Sequence, residues 1–353
     1  LPQFLDSYNY ARLYNEARTN DGLAPLYTDA DLQGYQNSSG PNDLRYPDVD
    51  YYNYFLKNYN TMKKATAGFT GGNDVVQYSA ILGYTGYDGL QKYGQKPNNN
   101  RFNARGNIDL TITNAVSAYM GIGTTIEYWK IGGINHAETF GRLSSHRPNE
   151  YPLILEHPSL SELESEDEED RVFYGASYDR NGNVLMALSK GGNRSNEFIS
   201  SQMNFGMNFD LSQFVEGLSA SSFITFDNYF DGEKWLNRHE ATYEQQWYKL
   251  PGGQDTVVFD KVMQELVNNS YTLPLSQTTR DQGINAKLNY SRTFGDHHIN
   301  SDLVFFYSNL DVVGSGNQVP QDIQNTNTFL RTHYNYNNKY YLEATVSAMG
   351  SNR

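Results

Sequence analysis

The chain has 353 residues, a formal net charge of −13 and no cysteine. The acidic balance argues against a nucleic-acid partner, which needs a basic face, and the missing thiols exclude a disulfide scaffold and thiolate chemistry without fixing the compartment. Aromatic residues make up 14%, with 29 Tyr against 3 Trp, and mean hydropathy is −0.68; this is too aromatic for disorder and suits polar β structure, either secreted or in an outer-membrane barrel with aromatic girdles and a polar interior.

No stretch of 18 consecutive apolar residues occurs, so no transmembrane helix is expected. The longest uncharged run, 110–126, carries Thr, Asn and Ser throughout and reads as two strands. There is no signal peptide, Leu1 is not a native start, and Arg353 falls inside a strand-like pattern, so the expectation is an internal piece of a longer protein.

Residues 1–61 read as an external segment with short helices. Tyr10, Leu13, Tyr14 and Ala17 have helical spacing, Ser7 is the expected cap and Asn20-Asp-Gly22 the stop. A second short helix is expected after Thr28, and 36–58 as loop.

Residues 62–353 read as five β-hairpins. The first pairs about 62–70 with 74–84 across Gly71-Gly72-Asn73-Asp74, residues that tolerate the positive φ of tight turns. The second pairs 103–113 with 116–130, with Ile108, Leu110 and Ile112 alternating against Asn107, Asp109 and Thr111. The third pairs 198–210 with 218–229, where Met203, Phe205, Met207 and Phe209 alternate with Asn204, Gly206, Asn208 and Asp210. The fourth pairs 282–294 with 298–309, where Ile284, Ala286 and Leu288 oppose Asn285, Lys287 and Asn289. The last pairs 325–337 with 340–353 across Asn337-Asn338.

Turns inside hairpins are short and the connections between them (85–102, 131–197, 230–281, 310–324) are long. Strict alternation gives a meander two different ends, as in a transmembrane barrel with short periplasmic turns and long external loops; a soluble sandwich has no reason to keep its long loops at one end. Aromatic pairs near the long-loop ends (Tyr84 and Tyr87, Tyr128 and Trp129, Tyr229 and Phe230, Phe306 and Tyr307) suit a membrane-interface belt. The strand-like stretch 237–260 must contribute an even number of crossings and reads as an external hairpin or strand extension.

Candidate chemistry is sparse. Ser161-Glu-Leu-Glu-Ser-Glu-Asp-Glu-Glu-Asp170 offers carboxylates to a cation, but consecutive carboxylates cannot all point inward, and a solvated acidic loop explains the run. Asp227-Asn-Tyr-Phe-Asp-Gly-Glu233 has a faint calcium-loop look without the alternating ligands. The His297-His298 pair sits in a turn, and no HExxH, Walker, G-x-S-x-G or G-x-G-x-x-G motif occurs. No catalytic, metal or cofactor site is expected, and substrate-binding residues cannot be assigned.

Several stretches, in order, resemble the SusC/RagA-like TonB-dependent outer-membrane transporters of Bacteroidetes. Asn9-Tyr-Ala-Arg-Leu-Tyr-Asn-Glu-Ala17 with Asn20-Asp-Gly22 looks like the segment after the first barrel strand. Tyr46-Pro-Asp-Val-Asp50 resembles the family's Tyr-Pro-Asn-x-Asp-Trp, with Tyr51 where Trp is usual. Phe69-Thr-Gly-Gly-Asn-Asp-Val-Val-Gln-Tyr78, Leu82-Gly-Tyr84 and Asp88-Gly89 resemble its Ser-Gly-Gly hairpin, and Arg101-Phe-Asn-Ala-Arg-Gly-Asn-Ile-Asp109 its next strand. Ala348-Met-Gly-Ser-Asn-Arg353 sits where Asp-Gly-Ser-Ser-Arg is frequent, with Ala348-Met349 in place of the Asp; residues 131–281 match only as pattern.

The resemblance implies an all-β, antiparallel up-and-down barrel of 22 strands in the outer membrane, of which this chain would hold about ten, without the N-terminal plug and the closing strands. It implies no enzyme but active import of oligosaccharides, or of peptides, energised through TonB with a SusD-like surface lipoprotein as partner. Inward Asn107, Asp109, Asn204, Asn208, Asn285 and Asn289 would line the wall, and Tyr- and Asn-rich loops would hold substrate by stacking and hydrogen bonds. A secreted or surface glycan-binding protein or adhesin, and a surface glycosidase, are the rival readings.

Overall fold

The computed structural model describes residues 2–163, 172–180, 182–266, 268, 271–314 and 322–353. In chain order, three helices, α1 (Ser7–Asn20), α2 (Asp29–Gln36) and α3 (Tyr51–Phe55), precede four strands, β1 (Thr61–Gly72), β2 (Val76–Asp88), β3 (Asn98–Thr113) and β4 (Val116–Gly132). The next connection contains α4 (His136–Ser145), β5 (Ile154–Leu155), a 3-10 turn (Pro158–Leu163), β6 (Phe173–Gly175) and α5 (Val184–Ser189). Then follow β7 (Gly192–Asp210), β8 (Leu218–Asn237), β9 (Thr242–Lys249), β10 (Asp255–Met263), β11 (Thr272–Phe294), β12 (His297–Gly314), β13 (Ile323–Tyr336) and β14 (Tyr340–Ser351).

Helix α1 is capped by Asp6, whose Oδ1 accepts from Asn9 N at 2.7 Å. Ser7, the expected cap, is instead buried; its hydroxyl donates to Pro47 O at 2.7 Å and its backbone N to Asp48 Oδ1 at 2.8 Å, tying the helix start to the following segment. Thr28 caps α2 in a reciprocal box with Asp31. Residues 36–58 are not all loop: Asp50 caps α3, and burial of Tyr51 and Phe55 holds that short helix where local propensity alone would not.

Ten strands form one antiparallel sheet in the order β1-β2-β3-β4-β7-β8-β11-β12-β13-β14, so all five expected hairpins are present with neighbours in chain order. The strands run past the expected ends on the long-loop side; β7 has 19 residues and β11 has 23, where about ten cross a bilayer. In the first turn only Gly72 has positive φ, at 148°. Asn73 works through its side chain, whose Oδ1 accepts from both Val75 N and Val76 N at 2.9 Å. Asn337 and Asn338 have φ of 51° and 53°, as a two-residue hairpin turn of matching twist requires. Strands β1 and β14 each have a single neighbour among the described residues.

The register divides the sheet into two faces. Phe69 sits opposite Ala80, Ile108 opposite both Tyr78 and Met120, Met120 opposite Phe205, Phe205 opposite Ile224, Ile224 opposite Ile284 and Leu303 opposite both Leu288 and Leu330. These cross-strand neighbours share one face, and most of the large ones are exposed. So broad a continuous apolar band is incompatible with water; its solvent is lipid, and the sheet crosses the outer membrane with strands.

Period-two alternation corrects the aromatic belt. Tyr84, Tyr128, Phe230 and Tyr307 lie on the lipid face, whereas Tyr87, Trp129, Tyr229 and Phe306 lie on the polar one. Adjacent residues of a strand cannot both face lipid. A second aromatic cluster, His297, Tyr334, Tyr336 and Tyr340, occupies the lipid face at the short-turn end.

The conventional hydrophobic core lies beyond the long-loop ends of the strands. The stretch 237–260 does both things anticipated of it: β8 extends to Asn237, and β9-β10 form a hairpin beyond the crossing region. The hairpin joins β5 and β6 in a four-stranded sheet of order β10-β9-β6-β5. Tyr51, Phe55, Leu143, Tyr151, Leu153 and Val184–Leu188 pack into one core, and Leu155, Leu160, Phe173, Ala241 and Tyr243 into a second. Arg45 ties the N-terminal segment to this layer, pairing with Asp255 and stacking 4.8 Å over Trp247.

Candidate substrate path and loop pocket

The six expected wall residues, Asn107, Asp109, Asn204, Asn208, Asn285 and Asn289, all fall on the polar face. Four of them line two grooves. Asn107 and Asn204 join Arg105, Gln202, Thr225 and Asp227 around a space of about 340 Å³, opened by Gly121 and Gly123, which carry no side chain there. Asn208 and Asn289 join Lys287, Ser219, Ser221 and Asn300 around about 630 Å³ near the short turns. The wall is pre-ordered: Asn289 Nδ2 donates to Asn300 Oδ1 at 2.7 Å and Asp302 Oδ1 at 2.8 Å, and Lys287 pairs with Asp302 at 2.8 Å. Donors and acceptors thus alternate on a surface suited to water, sugar hydroxyls or peptide amides.

Asp227 to Glu233 lies within β8, an extended strand that cannot wrap a calcium ion. Of the acidic run, residues 164–170 lie outside the described residues. His297 and His298 point to opposite faces, bonded to Tyr334 Oη at 2.6 Å and Thr293 Oγ1 at 3.0 Å. Among the described residues no three His, Cys, Asp or Glu side chains come together as metal ligands.

The feature that sequence reasoning missed is a pocket of about 430 Å³ between α4, α5, the long-loop ends of β7 and β8, and β10. Arg142 and His146 come from α4 and its C-cap, Arg180 from the turn before α5, Arg194 from β7, and Arg238 and His239 from just past the end of β8. Asn135 caps α4, its Oδ1 accepting from Glu138 N at 2.8 Å. Asn183 caps α5 and is fully buried; its Nδ2 donates to Leu153 O and Gly175 O, each at 2.8 Å, and its Oδ1 accepts from Met186 N at 3.0 Å.

Three carboxylates temper the arginines. Glu138 pairs with Arg142 at 2.9 Å, Glu150 with Arg147 at 3.3 Å and Arg180 at 3.1 Å, and Glu240 with Arg238 at 3.7 Å. Arg194 has no carboxylate partner among the described residues and lies 4.4 Å over the Trp235 ring. His146 is 6% exposed and packs between the Tyr51 and Tyr151 rings, at 5.1 and 5.6 Å. Burial pushes its pKa below the usual histidine range. Its Nδ1 lies 2.6 Å from Arg142 O, an acceptor, so the neutral ring carries its proton there and leaves Nε2 a free acceptor. Nothing local marks this constellation, because residues 142 to 239 meet only through the tertiary fold.

No protein-family profile matches the chain, and no curated protein matches it. Solved structures do. The RagAB peptide transporter is similar with a TM-score of 0.54 at 14% identity, over 99% of this chain and 40% of that one. The RagAB peptide importer in its open-open and closed-closed states gives 0.53 at 16% identity, over 98% of this chain and 36% of that one. The chain therefore spans about two fifths of the length of the transporter chains it matches. At this identity the likeness defines the fold, that of an outer-membrane β-barrel wall with its external loops.

Proposed function

We propose that the chain is the barrel wall and outer loop layer of a TonB-dependent outer-membrane importer, residues 1–353 forming part of a barrel that further strands close around a plug. One observation carries this: a two-faced sheet, apolar toward lipid and polar within, whose long connections after β2, β4 and β8 gather at one end into a packed layer with its own core. The reading is of binding and gating without covalent chemistry, and it includes a SusD-like surface lipoprotein as lid and coupling to TonB through segments outside this chain. Oligosaccharide is the substrate class drawn from the Tyr- and Asn-rich loops, where rings and amides suit sugars. A peptide substrate is the second reading, favoured by likeness of fold to a structure described as a peptide transporter.

The test is uptake by cells carrying or lacking the intact gene, with labelled neutral oligosaccharides and labelled peptides offered separately, after membrane fractionation. Import of one class that stops on deletion supports the reading and identifies the class. Recovery of the protein in the soluble fraction without detergent, the outcome expected of a secreted binding protein or adhesin, refutes it.

A further inference from the structure

We propose that the loop pocket is a carboxylate-recognition subsite, in which Arg142, Arg180, Arg194 and Arg238 bind the carboxylate of an incoming oligomer. Arrival of the oligomer rests on the importer reading; the binding chemistry does not. A chain of net charge −13 would be expected to repel anions, yet four guanidinium groups line this one cavity with Glu138 as the single acidic lining residue. Guanidinium forks match carboxylate oxygens in pairs, and Arg194, held over Trp235 without a counter-ion among the described residues, is the group with most to gain.

His146 also lines the cavity, but its Nδ1 is committed to Arg142 O and its Nε2 is closed off from solvent, so recognition falls to the guanidinium groups. Their forked donors complement a group with two anionic oxygens, as a peptide C-terminus or a uronic acid carries. The volume of about 430 Å³ admits a terminal monomer unit and not merely an ion. The position also fits: Arg194 shares the polar face of β7 with Asn196, Asn204 and Asn208, so a bound terminus sits at the head of the inner wall.

The experiment is calorimetry on the purified full-length protein in detergent with two matched probe pairs. One is N-acetyl-Ala-Ala-Glu against N-acetyl-Ala-Ala-Gln amide; the other is trigalacturonate against its methyl ester. At least one acid probe should bind about ten-fold tighter than its neutral partner, weakening with salt, and the pair that responds identifies the source of the carboxylate. In Arg194→Gln/Arg238→Gln the preference should fall to about two-fold or less. The Arg194→Lys/Arg238→Lys variant keeps charge and should keep part of it, and heat-modifiable gel migration checks that each variant folds. Equal binding of acid and neutral probes by the wild type overturns the proposal, as does an undiminished preference in the folded glutamine variant. If wild-type cells import no oligomer while the acid preference holds, the importer reading fails and the subsite stands; import without any acid preference overturns the subsite alone.

Discussion

Replacing Asn183 with alanine should loosen the loop layer without melting the sheet. The Asn183 amide is fully buried and makes three hydrogen bonds, donating to Leu153 O and Gly175 O and accepting from Met186 N. It thereby joins the residue just before β5, the end of β6 and the first turn of α5. Alanine removes all three bonds, strands two carbonyls and an N–H away from water, and deletes a helix cap. At about 1 kcal/mol per bond, with the added cost of unsatisfied buried groups, the loss is roughly 3–5 kcal/mol. That raises the local opening constant on the order of 10²- to nearly 10⁴-fold. Hydrogen exchange by mass spectrometry should show faster exchange in peptides covering 150–156 and 183–190, while peptides from β3, β4 and β7 stay protected, because their bonds run strand to strand. Unchanged exchange in 183–190 would refute the role given to Asn183. Simultaneous loss of protection in β7 would refute the separation of loop layer from sheet.

Phe205→Arg, five residues from the short turn on the lipid face, should cost about 2–4 kcal/mol of folding stability in liposomes, whereas Gln202→Arg on the polar face should cost far less; equal folded fractions by gel shift would contradict the facing. Asn337→Val places a β-branched residue at φ of 51° and should destabilise the last hairpin by about 1–2 kcal/mol, read as faster proteolysis of β13-β14. His146 gives a pH dependence. Its folded pKa lies below the unfolded value because burial disfavours the charged form; the hydrogen bond to the Arg142 carbonyl and the Glu150 carboxylate oppose that, and the Arg180 and Arg142 guanidinium groups add to it. The unfolded state therefore binds more protons as pH falls through the ordinary histidine range, and loop-layer stability declines from about pH 6.5 downward until the folded pKa is passed. His146→Phe should remove that slope between pH 7.5 and 5.5 in protease-resistance assays, and persistence of the full slope would assign it elsewhere.

The sheet was legible because its information is local. Met203, Phe205, Met207 and Phe209 alternate with polar residues, and the hairpin partner lies a few residues away across a short turn, so periodicity and turn chemistry together define pairing. Strand ends were less so, because pairing continues beyond the membrane where no apolar face marks it. The loop layer was hidden for the opposite reason. Its core joins Tyr51, Leu143, Tyr151 and Val184, brought together from segments well separated along the chain. Two signs were present: the apolar runs Tyr151-Pro-Leu-Ile-Leu155 and Val184-Leu-Met-Ala-Leu188 lie inside connections that otherwise read as polar. Both mark buried segments, but neither says what buries them, and the meeting of Arg142, Arg180, Arg194 and Arg238 has no sequence-local trace.

The same chain is folded against two solvents, and the junction between them determines how the pocket is built. On the lipid face Val346 is 74% exposed, while Val184 in the loop core is 0% exposed; each state is favourable only in its own surroundings. Where the two meet, backbones touch. A Cβ on Gly133 would lie 1.9 Å from Gly191 O, and one on Gly192, at φ of 84°, 1.9 Å from Leu236 O. The end of α5 is therefore set directly on the ends of β4, β7 and β8, with no side chains between to act as a hinge. Arg142 and Arg180, on the loop side, are thus held at a defined distance from Arg194 and Arg238, on the strand side. A pocket assembled this way is preformed, so its affinity needs little ordering of its walls on binding, and a change in loop conformation that released a ligand would have to move α5 off the strand ends as a unit.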